Sequence, residues 1–322
     1  MNTSTYQYYT AGAAGEFSYR NNLESYGRVR MRPRIVRGVT DPTVTLPTTI
    51  LGHNFSTPFY ITSCGRAQFT HPDGELGLLY LNAASTNQET LDANRGPGQV
   101  TFQQLLLDNN MTKTQEDFDR AKATGASAIA LTVDSAMGTN RHRSWRFGVN
   151  GRRGGPADFF SWETYATYAT MTDLPVILKG VQTVEDVREA VAHGVPAVIL
   201  SNHDGRAVDS APSPLEVAIE IYEESPEFFG QIEVLAEGGV RLGTDVLKLL
   251  ALGVRAVGLG RPFYFANQCS ADGVTRAADL LKYEIAHDAA NIGLLDVHAI
   301  VHAINASYIK LGLASVHNGW YS

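Results

Sequence analysis

A short pattern, Gly-x-x-Ala-(Ile/Val)-x-Leu, recurs along the chain at Gly125–Leu131, Gly194–Leu200 and Gly253–Leu259. Each copy follows a stretch with helical spacing of apolar residues and opens a short, continuous apolar run. The glycine stands where a helix C-cap needs positive φ, and the run reads as a strand buried on both faces, the signature of a parallel sheet. The repeat is therefore a helix–strand unit. In one helix, Thr183 is a plausible N-cap with Asp186 three residues on, Val184, Val187 and Val191 form the apolar stripe, and Gly194 ends it. A second runs from about Thr244 through Val246, Leu249 and Leu250 to Gly253. Strands are expected at 58–62, 99–105, 128–134, 175–180, 197–202, 232–238 and 256–260. Residues 75–90 read as a helix running into a polar stretch, so no second strand is evident. The fold class expected is α/β, a (β/α)8 TIM barrel that is either complete or open where its second strand should stand. No linker or low-complexity run divides residues 1–322, which are expected to form a single barrel domain.

Composition narrows the function classes. The 322 residues carry a formal net charge of −7, which disfavours a nucleic-acid partner. Arg28, Arg30, Arg32 and Arg34 alternate as on one face of an extended segment and read as a solvated face. Cys64 and Cys269 are too few and too far apart for a disulfide framework. No segment approaches the ~18 apolar residues of a membrane span, no signal-like stretch opens the chain, and its end is not a peroxisomal address. A cytoplasmic protein is expected, in which the sequons at Asn2, Asn54, Asn110 and Asn305 are chance matches. His298 and His302 have the spacing of a zinc pair, but their apolar neighbours favour a packing helix and no metal is expected.

Candidate chemistry lies at the strand ends, where parallel barrels place it. Consecutive runs end in Thr132-Val133-Asp134, Lys179, Ser201-Asn202-His203-Asp204-Gly205-Arg206, Glu237-Gly238-Gly239-Val240-Arg241 and Gly260-Arg261-Pro262. The last two loops combine close-approach glycines with guanidinium groups, as the phosphate sites of barrels do, and imply a phosphate-bearing cofactor. By themselves the residues leave bland readings open, with His203 as a core histidine and Asp134 as a helix cap.

These motifs, with Leu178-Lys179-Gly180, His71-Pro72-Asp73-Gly74-Glu75, Arg32-Pro33-Arg34 and Tyr8-Tyr9-Thr10-Ala11-Gly12, resemble the FMN-dependent 2-hydroxy-acid oxidase/dehydrogenase family, the group of glycolate oxidase, lactate oxidase and flavocytochrome b2. The resemblance spans nearly the whole chain. It implies FMN as cofactor and a small carboxylic acid as substrate, a 2-hydroxy or related 2-amino acid, in a homo-oligomer. It implies His203 as the base and Asp134 as its orienting carboxylate, with Arg141, Arg206 and Tyr8 on the substrate carboxylate. It places Lys179 beside the flavin ring, with Gln103, Thr132 and Ser201 hydrogen-bonded to that ring. Glu237, Gly239, Arg241, Gly260 and Arg261 would hold the ribityl chain and phosphate.

The chain departs from the pattern in several places. About one strand's worth of sequence is missing near Ala83–Glu89, the first-strand loop reads Ser63-Cys64-Gly65-Arg66, and Leu105 replaces a substrate-contacting Tyr. Asp204 replaces the Gly after the histidine, and Glu237 replaces an Asp. Two further readings therefore stand beside the oxidase: a repurposed barrel moving a proton at His203 without redox chemistry, and a non-catalytic binding or oligomer partner.

Overall fold

The computed structural model describes residues 3–36, 44–63, 79–82, 98–106, 110–135, 139–149, 160–294, 297 and 309–310. Eight parallel strands close a barrel: β1 (Phe59–Ile61), β2 (Tyr80–Asn82), β3 (Thr101–Leu105), β4 (Ala128–Thr132), β5 (Val176–Val181), β6 (Ala197–Leu200), β7 (Glu233–Glu237) and β8 (Ala256–Leu259). Each strand pairs with its sequence neighbours, and β8 pairs with β1.

The apolar runs divide by parity. Ala128, Ala130, Ala197 and Ile199 turn into the barrel with Tyr60, Leu81, Phe102 and Ile177. Ile129, Leu131, Val198 and Leu200 turn outward into the larger core beneath the helices. Burial on both faces explains why these strands show no polar alternation. Each fully buried Leu or Ile contributes roughly 1.5–3 kcal/mol. Gly125, Gly194 and Gly253 all have positive φ, at 71°, 66° and 115°. At Gly253 a Cβ would also meet the Phe229 ring at 2.6 Å. The helix Val184–Ala192 is capped by Thr183, whose side chain accepts from the Asp186 amide. The helix Gly243–Leu252 ends at Gly253.

The gap expected at residues 75–90 is filled. Tyr80–Asn82 is the second barrel strand, with three pairs to β3 and one, Ile61↔Tyr80, to β1. Three residues are too short a run to show period-two alternation in the sequence, yet Leu79 and Leu81 are buried and complete the interior layer. The barrel therefore has no open edge, and the reading of residues 75–90 as a helix is corrected over the described part. Cys64, Arg66, His71–Glu75, Ala83–Glu89, His298 and His302 lie outside the described residues. The arginine stripe is also not one extended face: Arg28 ends a helix and pairs with Glu216 at 2.5 Å, and only Arg30, Arg32 and Arg34 line an exposed extended segment.

The two barrel ends are covered differently. At the N-terminal end, a hairpin of Thr48–Ile50 and His53–Phe55 pushes Ile50 and Phe55 into the interior. Over the C-terminal rim lie α1 (Thr3–Thr10) and α2 (Phe17–Arg28). Ala13 donates to the Gly205 carbonyl at 2.9 Å, and Asp209 accepts from the Gly15 and Ser18 amides, each at 2.9 Å. Among the described residues no helix is long and apolar enough to cross a membrane.

Candidate functional site

Interior parity continues past the strands to the rim. Thr62, Gln104, Thr132, Lys179, Ser201 and Glu237 follow in phase with Tyr60, Phe102, Ala130, Ile177, Ile199 and Leu235, so a ring of polar groups caps an apolar interior. At the centre, His203 Nδ1 lies 2.9 Å from Asp134 Oδ1, with the Asp134 side chain fully enclosed and the imidazole 25% exposed. Burial alone would raise the Asp134 carboxyl, but the charge and hydrogen bond of His203, with Lys179 behind them, outweigh it and hold the carboxyl below its usual range. An ionised Asp134 accepts from Nδ1–H, fixes the tautomer, and leaves Nε2 as the basic nitrogen. Gly180 makes the approach possible, since a Cβ there would sit 2.5 Å from Asp134 Cβ and φ is +109°.

The loop bearing His203 is tightly wound. His203, Asp204 and Gly205 have φ of 55°, 64° and 70°, three successive left-handed residues, two of them not glycine. Such a turn persists only where its surroundings over-determine it. Asn202 exchanges amide hydrogen bonds with Asn22 of α2, at 2.7 and 2.8 Å, accepts from the Gly205 amide at 2.8 Å, and donates to the Pro212 carbonyl at 2.9 Å. The Ser201 hydroxyl accepts from the His203 amide at 3.0 Å. Asn22 was not singled out from the sequence; only an Asn-Asn pair across 180 positions marks it.

Lys179 is buried and pairs with Glu237 at 2.6 Å. Burial alone lowers the ammonium, but Glu237 and then Asp134 outweigh it and its pKa is raised, so the amine is a cation. Glu237 also accepts from Ser201 Oγ at 3.1 Å and from the Thr62 hydroxyl. The Glu237 carboxylate thus meets Lys179, Ser201 and Thr62 at the barrel mouth. Thr132, in register with Lys179, has a buried hydroxyl without a hydrogen-bond partner among the described residues.

Two expectations on β3 change with its phase. Gln103 pairs with the outward-facing Ile129 and donates to the Gln104 carbonyl at 3.0 Å, whereas Gln104 pairs with the inward Ala130 and meets the Ser63 hydroxyl. The amide on the inner phase is Gln104, not Gln103. Leu105 packs in the outer core rather than over the site. A one-residue difference in phase moves every side chain to the other face.

Arg141 and Arg206 flank Tyr8, with guanidinium carbons 5.9 and 5.2 Å from its ring centroid, and Arg206 donates to the Tyr8 carbonyl at 2.5 Å. Burial first, then the positive charge of Arg206, push Arg141 down to about 9 against the opposing effect of Tyr8. The Nε of each arginine lacks a hydrogen-bond partner among the described residues. Arg143, in the same loop, is committed elsewhere, to Glu16 at 2.9 Å and to the Thr10 carbonyl.

The remaining candidates gather beside α2. Gly239, at φ +78°, lies so close to the helix that a Cβ would be 1.8 Å from the Asn22 carbonyl oxygen. Arg261, which follows Gly260, is buried, ion-paired with Asp204, and its guanidinium carbon lies 4.6 Å over the Tyr19 ring. Burial and then Arg261 lower Arg241, with Asp204 opposing. Asp204 thus faces both guanidinium groups, and Asp245 also faces Arg241. The exposed Arg241 and the buried Arg261 beside these close-approach glycines, with the orphan Thr132 hydroxyl inside the mouth, fit a phosphorylated heterocyclic cofactor such as FMN.

The chain matches the model of a family described as FMN-dependent dehydrogenase over residues 1–159 and 152–307. It is 31% identical over 345 aligned positions to an L-lactate dehydrogenase (cytochrome) of Wickerhamomyces anomalus, covering 97% of this chain and 59% of that protein. It is 30% identical to 2-hydroxyacid oxidase 1 of Mus musculus, covering 93% and 91%, and 32% identical to glycolate oxidase 1 of Zea mays, covering 87% and 85%. The chain thus spans somewhat over half the length of the cytochrome-type relatives it matches, 59% and 57%. Among solved structures, the flavin-binding domain of baker's yeast flavocytochrome b2 superposes with a TM-score of 0.86 at 27% identity, over all of this chain and 86% of that one. A mandelate oxidase superposes with a TM-score of 0.83 at 31% identity, over 97% of each.

Proposed function

The chain belongs to the FMN-dependent dehydrogenase family, and on that premise we propose that it oxidises a 2-hydroxy acid or related 2-amino acid, with His203 as the base. The observation that carries the proposal is the buried Asp134–His203 pair standing at one mouth with the under-compensated Arg141–Arg206 pair. A substrate carboxylate between the two guanidinium groups would cancel their mutual repulsion and occupy their vacant donors, fixing the acid in one orientation. Tyr8 would add its hydroxyl. His203 Nε2 would take the proton released from the substrate, and Asp134 would stabilise the imidazolium formed. The residues that would hold FMN are Thr132, Ser201 and Lys179 toward the ring, with Gln104 in the place expected of Gln103, and Gly239, Arg241, Gly260 and Arg261 toward the phosphate. Bound FMN supplies the two-electron acceptor. Lys179, a fixed buried cation, would favour negative charge developing near it. The proposal extends to a cytoplasmic homo-oligomer, tested by cell fractionation and sedimentation.

The test is a visible absorption spectrum of purified protein, desalted after addition of FMN, followed by anaerobic addition of 2-hydroxy acids. A retained flavin band that bleaches with one of them, and fails to bleach in His203→Ala, is the expected result. A protein that retains no flavin would overturn the redox reading and direct attention to proton transfer at His203 without a flavin.

A further inference from the structure

We infer that Asp204 is a built-in counter-anion at the phosphate end of the site, holding Arg261 against a cofactor phosphate and so setting how strongly a phosphorylated flavin is preferred over a non-phosphorylated one. The inference rests on the proposed reading of this rim as an FMN site.

Asp204 sits at φ +64° between His203 and Gly205, both also left-handed. Only glycine is free of penalty in that region, and Asp is among the few others that tolerate it. The aspartate is thus placed at a cost in backbone strain that a glycine would not carry. What it gains is Arg261, to which it is ion-paired, in a cluster that also includes Arg241 and Arg206. Arg261 is held on its other side by the Tyr19 ring. Of these, Arg241 and Arg261 are the guanidinium groups that the glycine loops present to a phosphate. A carboxylate and a phosphate dianion at one cluster repel each other in a region of low dielectric. FMN must therefore either displace the Asp204 carboxylate or bind beside it at reduced affinity. Riboflavin, which has the same ring and chain and no phosphate, meets no such competition.

The experiment compares the full-length protein with Asp204→Asn and Asp204→Gly. Asparagine keeps the shape and tolerates the left-handed backbone, and glycine relieves the strain, so one folded variant suffices. FMN and riboflavin are titrated against each by flavin fluorescence quenching, and melting is followed with and without inorganic phosphate. The expected result is FMN binding tightened about tenfold or more on loss of the charge, with riboflavin unchanged within about twofold. The variant is also expected to melt below wild type without phosphate, because Arg261 is left buried without its carboxylate, and inorganic phosphate should raise its melting temperature more than that of wild type. Equal shifts for the two flavins, or weaker FMN binding in the variant, would overturn the inference while leaving the proposed cofactor intact. If neither flavin binds any form, the proposed cofactor falls, and the phosphate melts alone decide: a larger shift in the variant sustains the role of Asp204, and equal shifts overturn it.

Discussion

Two parts of the rim treat charge in opposite ways. At the mouth of β4 to β7, each ionised group has its partner: Asp134 faces His203 at 2.9 Å and Lys179 faces Glu237 at 2.6 Å, all close to fully enclosed except the imidazole. At the edges, cations outnumber the carboxylates that face them: Arg141 is opposed by the like charge of Arg206, and Arg206, Arg241 and Arg261 all converge on Asp204, with Asp245 also facing Arg241. Paired charges in low dielectric hold a fixed geometry before any ligand arrives, while an excess of one sign is a demand that a ligand satisfies. The first region is therefore organised as machinery and the second as a receptor, and substitutions in them should fail differently.

The largest effect is expected in the machinery. His203→Ala should lower substrate-driven flavin reduction by about 10²–10⁴-fold with little change in melting temperature, because the ring is the one partly exposed member of the set. Stopped-flow reduction under anaerobic conditions measures this, and a variant that reduces within threefold or so of wild type would remove His203 from the role. Lys179→Met breaks the other pair and strands Glu237 in the barrel mouth. A loss of roughly 3–5 kcal/mol in denaturant unfolding is expected, and a loss near zero would mean that water reaches Glu237. The receptor should respond in the reverse manner. Arg141→Met should raise KM by one to two powers of ten, about 1.5–3 kcal/mol for a charged hydrogen bond. Its melting temperature should hold or rise, since a buried cation opposed by the like charge of Arg206 is removed. A variant that unfolds easily while keeping its KM would put Arg141 in the machinery instead and break the comparison.

The sequence exposes the machinery better than the receptor, for physical reasons. The strands were legible because runs such as Ala128–Leu131 and Ala197–Leu200 are apolar on both faces, and the turns because Gly125, Gly194 and Gly253 each occupy a left-handed cap. His203, Asp134 and Lys179 stood out because a titratable group at the end of an apolar strand has few other uses. What stayed hidden depended on phase or on contacts across the fold. The strand Tyr80–Asn82 has too few residues to show a period. In Gln103-Gln104 two identical amides adjoin, so nothing local says which faces inward. Asn22 reaches Asn202 only because α2 folds back over the rim, and Asp204 finds Arg261 across 57 positions, Asp204 being recognisable beforehand only as a charge where a glycine was expected. Glu237 reaches Lys179 across 58 positions, a pairing that nothing local to either residue announces.

The smallest effect expected is in the pH dependence of stability, and its sign separates the two regions. Asp134 has its carboxyl depressed in the folded protein, because His203 and Lys179 outweigh burial. Its contribution is therefore fully present above the ordinary carboxylate value of about 4 and is lost as pH falls through the lower folded value. Lys179 is raised above its ordinary value, so its contribution is complete below about 10.4 and is lost as pH rises through the folded value. Between these limits neither Asp134 nor Lys179 adds a slope. Melting curves of Asp134→Asn and wild type should then run parallel from about pH 5 to 8 and converge below about pH 4, where wild type loses what the variant never had. Curves that stay parallel below about pH 4 would show that the fold does not feel the Asp134 carboxylate, and would move Asp134 out of the finished machinery to the side of the waiting receptor.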